Sequence, residues 1–115
     1  MTRTSNQKYY DLEERTYEFA KNCRDFIRKL PRTISNLEYG KQLIRSSGSQ
    51  AANYIEANEA LGKKDFAMRI KISRKEAKES RYWLELTVPN EDQLSEKKTL
   101  IQECTEFIKI FSSIY

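Results

Sequence analysis

At 115 residues the chain has the length of one domain, long enough to bury a single core without disulfide or metal staples. Charged residues make up 33%, mean hydropathy is -0.82, and only three Gly and two Pro interrupt the chain, the composition of helices with solvated outer faces. Its apolar runs fall far short of the ~20 residues of a membrane span, no secretory leader opens it, and no His is present, so a membrane protein and a His-ligated metal site are excluded and a cytoplasmic location is expected, with no cofactor.

Residues 1–10 are polar and lack periodicity, which predicts a flexible N-terminal segment; residues 11–115 read as one domain. From Asp11, apolar side chains recur at Leu12, Phe19, Ala20, Cys23, Phe26, Ile27 and Leu30, a helical period. Glu13 and Glu14 occupy its first turn, where the helix dipole favours them, and Pro31 closes it.

Ser35-Asn36-Leu37-Glu38 has the spacing of a capping box and predicts the start of a second helix. Its inward positions read Leu37, Gly40, Ile44, Ser47, Ala51 and Ile55. Gly48 within a helix costs ~1 kcal/mol against Ala. Its presence with Ser47, Ser49, Ala51 and Ala52 implies close approach by a neighbouring backbone. The same helix carries Gln42, Arg45, Ser49, Asn53 and Glu56 at spacings of three and four, a polar stripe on one face.

A third helix, from about Lys64 to Leu86, sets Phe66, Ile70, Ser73, Ala77, Ser80 and Leu84 on one side and a second apolar strip at Met68, Ile72, Trp83 and Leu86. Lys75, Glu76 and Glu79 lie between Ile72 and Trp83. Because buried charges persist only when paired, the two polar stripes predict a network fixing how helices or subunits meet, with Arg45 on Glu76 or Glu79 as the expected contact.

Pro89 ends this helix, and Asn90 with Gln93 forms a second capping pattern. The fourth helix carries Leu94, Ile101, Cys104, Ile108 and Phe111, and a further set at Leu100, Phe107, Ile110 and Ile114. Four helices with short connections predict an all-α, antiparallel up-down-up-down bundle. The surplus apolar strips on the last two helices predict a homo-oligomer. Cys23 and Cys104, at core-like positions, are expected to be buried free thiols.

The net charge of +4 conceals an alternation: residues 21 to 45 and 62 to 81 each carry +5, while 10 to 20, 46 to 61 and 82 to 115 are acidic. Candidate phosphate-binding cations are Arg24, Arg28, Lys29 and Arg32 at the end of the first helix, and Lys63, Lys64, Lys71, Arg74, Lys78 and Arg81 along the third. No zinc-finger spacing, RNA-recognition signature or helix-turn-helix accompanies them, so binding is expected at backbone and shape. Tyr9, Tyr10 and Tyr115 offer rings for base stacking, but terminal tyrosines more often cover a core edge, and they are not taken as a site. An enzyme is not expected: acid-base work would fall to Glu56, Glu76 or Glu79, and no phosphate-cradling loop, nucleophile elbow or Cys-x-x-Cys is present.

Leu30-Pro31, Tyr39 to Ser46, Ala52 to Ala57, Lys64-Asp65-Phe66, Lys75 to Ser80 and Tyr82 to Leu86 together resemble the bacterial four-helix-bundle proteins encoded in intervening sequences of 23S ribosomal RNA genes. The resemblance spans about Leu12 to Phe111. It implies a ring-shaped homopentamer, and, through a related accessory protein of diversity-generating retroelements, contact with RNA or DNA. The alternative it implies is a structural or adaptor ring that docks a protein such as a reverse transcriptase.

Overall fold

The computed structural model describes residues 11–114, all of whose regular elements are helical. They are α1 (Leu12–Arg28), α2 (Ile34–Asn58), α3 (Lys63–Leu86), a short 3-10 turn (Glu91–Gln93) and α4 (Leu94–Ile114). The expected flexible segment 1–10, and with it Tyr9, Tyr10 and Tyr115, lies outside the described residues.

Short connections force each helix to reverse against the one before, giving the up-down bundle. The closest helix approach is between α2 and α3, then α3 and α4, then α1 and α2; α1 and α4 stand farther apart, with large side chains between them. At α1 the expected face is buried, with Leu12, Phe19, Cys23 and Phe26 meeting Leu100, Cys104, Phe107 and Phe111 of α4 in one core. Phe19 meets Phe107 edge-on at 5.4 Å, and Phe107 stacks on Phe111 at 6.1 Å.

One end of the bundle is clamped by two buried amides. Asn36 donates to the carbonyls of Pro31 (3.0 Å) and Val88 (2.9 Å) and accepts from the Val88 amide (2.9 Å), tying the α1–α2 and α3–α4 connections together. Gln93 completes the Asn90 capping box and donates to the Phe26 carbonyl at the end of α1 (3.1 Å).

Two features of α2 differ from expectation. The helix starts at Ile34, not at the Ser35 box: Thr33 has the extended backbone of an N-cap and its hydroxyl accepts from the Asn36 amide at 3.1 Å. This earlier start places Asn36 inside the first turn, from where its side chain reaches both connections. The buried face is also rotated, comprising Asn36, Gly40, Leu43, Ser46, Ser47, Gln50, Tyr54 and Ala57. Leu37, Ile44 and Ile55 are 42%, 52% and 47% exposed.

The reason is steric. Small hydroxyl residues let α2 and α3 approach closely: Ser46 and Ser80 share a hydrogen bond at 2.8 Å, and Ser73 donates to the Gln50 carbonyl at 3.2 Å. Gly40 is a second close approach, because a Cβ there would sit 2.9 Å from the Ile27 side chain. Gly48, by contrast, has nothing within 4 Å of its Cβ position, so the tight packing expected there does not arise within the protomer.

Gln50 is fully buried, and among the described residues neither its side-chain nitrogen nor its oxygen has a hydrogen-bond partner. A buried amide without partners costs about 1–3 kcal/mol. Gln50→Met, of similar length, is therefore expected to raise the unfolding free energy by about 1–2 kcal/mol, read from urea denaturation midpoints.

Candidate functional site

The basic residues of α3 form a row on its outward face. Lys64, Lys71 and Lys78 repeat every seven residues, and Arg74 and Arg81 run beside them toward α4. From Lys64 to Arg81 the row spans about 26 Å. Arg74 and Arg81 reach the hydroxyls of Ser112 and Thr105, both at 3.4 Å. Lys109 lies between these hydroxyls in sequence and on the same face of α4, and so extends the row. Among the described residues, Lys63, Lys64, Lys78 and Arg81 have no carboxylate at salt-bridge distance.

The basic group of α1 is different in kind. Arg24 pairs with Asp25 at 3.1 Å, Arg28 approaches the same carboxylate at 3.8 Å, and Lys29 bonds Glu96 at 2.9 Å. Arg32 follows in the exposed connection. Because α1 and α3 each pack on α2 and α4, they sit at diagonal corners, and the two basic groups do not merge into one surface.

The polar stripe of α2 divides. Arg45 lies against Glu79 (3.0 Å) and Glu76 (3.4 Å) of α3; Lys75 stands 3.8 and 4.0 Å from the same two carboxylates. Ser49 donates to Glu76 at 3.3 Å, and Asn53 donates to Ser49 and accepts from Arg69 at 3.0 Å. The Glu76 side chain is 6% exposed, whereas that of Arg45 is 50% exposed. In one protomer the stripe is thus a rim over the α2–α3 seam, not the buried face expected. Gln42 and Glu56 are exposed and stand outside the network. Arg69 belongs to it but is set apart in sequence from Lys75 and Glu76, so only the packing of α2 on α3 reveals it.

With the core face rotated, the outward side of α2 is apolar and small: Leu37, Ile44, Gly48, Ala51 and Ile55 follow at spacings of seven, four, three and four. Tyr17 and Ala20 of α1 border it, and Tyr17 is exposed. Three aromatic rings bridge α2 and α3 near the clamped end, Tyr39 stacking on Trp83 at 6.1 Å and Tyr82 meeting Trp83 edge-on at 5.0 Å.

A groove of about 1260 Å³ runs between α1 and α4, where Arg15 and Glu103 form a two-point ion pair of 2.7 and 3.2 Å. Among the described residues no cluster of three or more His, Cys, Asp or Glu could hold a metal ion, and no helix is long and apolar enough to cross a membrane.

Cys23 and Cys104 are free and buried. Burial raises both thiol pKa values above the ordinary 9.0, and for Cys23 the neighbouring Cys104 adds to this. Burial likewise raises Tyr54 above 10.0. A raised folded value means that the native state keeps its proton where the unfolded chain has lost it. The contribution of these groups is therefore complete below pH 9 and lost as pH climbs beyond it. Denaturant midpoints are expected to fall between pH 9 and pH 11, and an unchanged midpoint would contradict the burial of the two thiols.

A family model described as 23S rRNA-intervening sequence protein matches residues 8–113. A crystal structure of a protein of unknown function from the S23 ribosomal protein family of Bacteroides thetaiotaomicron superposes with a TM-score of 0.78 at 31% identity, covering 90% of this chain and 96% of that one. Among curated proteins, none matches.

Proposed function

This chain belongs to the 23S rRNA-intervening sequence protein family, and from that membership we propose that it acts without catalysis, as a ring of five copies that binds the backbone of RNA or DNA regardless of sequence. The observation that carries the binding half is the α3 row, in which Lys63, Lys64, Lys78 and Arg81 are unneutralised by any described carboxylate. An exposed lysine beside a glutamate offers a phosphate little; one without a partner offers its full charge. Arg24, Arg28 and Lys29, already engaged, contribute less.

The outward face of α2 supports the assembly half. Leu37, Ile44, Gly48, Ala51 and Ile55 make a strip that a neighbouring helix can approach closely. The exposed edge of the network, Arg45 with Lys75 and Glu79, sets the register of the contact, since buried ionic groups at helix interfaces are best attested as specificity devices. Gln42 and Glu56 flank it. A ring repeats one basic row several times and converts weak phosphate contacts into avidity.

Gel-shift titration against a generic single-stranded RNA and a duplex DNA, at 50 and 200 mM salt, tests the binding half. Retardation at low salt that weakens steeply at high salt is expected, because each phosphate contact contributes a salt slope of about -0.9 on duplex and -0.7 on single strands. No retardation of either probe at low salt would overturn it and leave the ring as an adaptor for a protein partner.

A further inference from the structure

We infer that Tyr82 is a base-stacking platform at the end of the α3 cation row, making the preferred ligand a single-stranded nucleic acid, an inference that rests on the backbone-binding reading above. Tyr82 stands one turn beyond Lys78 and five turns beyond Lys64 on the same helix face, so a strand neutralised by the row passes the ring. In the protomer the residue is 56% exposed, so the ring is open to a base.

The ring is also braced. Its contact with Trp83 at 5.0 Å and an interplanar angle of 72°, and the stacking of Trp83 on Tyr39 at 6.1 Å, hold it in a three-ring cluster spanning α2 and α3. A ring fixed before binding loses less side-chain freedom when a base stacks on it. Of the carboxylates one turn away, Glu79 is paired with Arg45 at 3.0 Å and Lys75 at 3.8 Å, which offsets its repulsion of an arriving phosphate, and the exposed Glu85 lies beyond the end of the row.

Selectivity for single strands follows from what each ligand exposes. A duplex hides its base faces in the stack and offers the row phosphates alone, while an unpaired base presents a π-face to the ring. Cations therefore serve both ligands, and Tyr82 serves only one.

Fluorescence anisotropy with a labelled 20-nucleotide oligo-uridine and a labelled 20-base-pair duplex DNA, at one salt concentration, tests this on the full chain, wild type against Tyr82→Ala and Tyr82→Phe. Tyr82→Ala is expected to weaken oligo-uridine binding by about 5- to 160-fold, the range for losing one stacked base, with duplex binding changed less than twofold and Tyr82→Phe binding like wild type. Equal losses on both probes, or no loss on oligo-uridine, would overturn the stacking role while leaving the backbone reading intact. Absence of binding by the wild type to both probes would overturn both. Thermal melting of each variant verifies that the exposed substitution leaves the bundle folded.

Discussion

Phe107→Ala is expected to destabilise the bundle by about 3–5 kcal/mol. Phe107 is fully buried at the centre of α4, and its ring is the hub of the only aromatic chain linking α1 to α4 among the described residues, edge-on to Phe19 and stacked on Phe111. The Arg15 guanidinium lies 5.1 Å from the ring centroid, so truncation also removes a cation–π contact and loosens the Arg15–Glu103 pair. The α1–α4 seam is the widest of the four and is filled by these large rings, so truncating one opens a cavity. Urea denaturation measures the loss; a change below about 1 kcal/mol would mean that the core is centred elsewhere.

Gly48→Arg should separate folding from assembly. Among the described residues nothing lies within 4 Å of the added Cβ, and arginine in place of glycine favours the helix by up to about 1 kcal/mol, so the isolated bundle gains stability. A helix from another copy, seated between Ile44 and Ile55, would be displaced by the long charged side chain. If the wild type is the proposed ring of five, the expected result by light scattering is a fall from about 68 kDa to the 13.6 kDa of one chain. A variant that keeps the wild-type mass would place the subunit contact on a different face.

Helix number, order and the faces of α1 and α3 were legible because large apolar residues mark them: Leu12, Phe19, Cys23 and Phe26 on α1, and Ile70, Ala77 and Leu84 on α3, are buried where the 3.6-residue period puts them. The face of α2 was not legible by the same rule. Its seam with α3 is filled by serines and an amide, whose small size matters more than their polarity once they bond each other, and the displaced isoleucines are left outside. Periodicity ranks residues by hydrophobicity and is blind to how closely two backbones approach.

Of the candidate site, the contact of Arg45 with Glu76 and Glu79 could be expected from complementary charge on facing stripes, and it is present. The inequality of the two basic groups could not, because it depends on which carboxylates tertiary packing brings near. Asp25 neighbours Arg24 in sequence, but Glu96 reaches Lys29 only when α4 lies on α1. Lys109, Arg69 and the Tyr39–Trp83–Tyr82 cluster were missed for the same reason, each joining its group across a helix boundary.

Salt titration of single-stranded RNA binding by the wild type and by Lys64→Gln/Lys78→Gln reads the phosphate contacts of the α3 row directly. The double variant is expected to bind more weakly and to show a slope of log K against log salt shallower by about 1.4 for each protomer engaged, two contacts at about 0.7 each. Parallel lines of equal affinity would show that phosphates do not rest on this row, and would contradict the proposed function at its base.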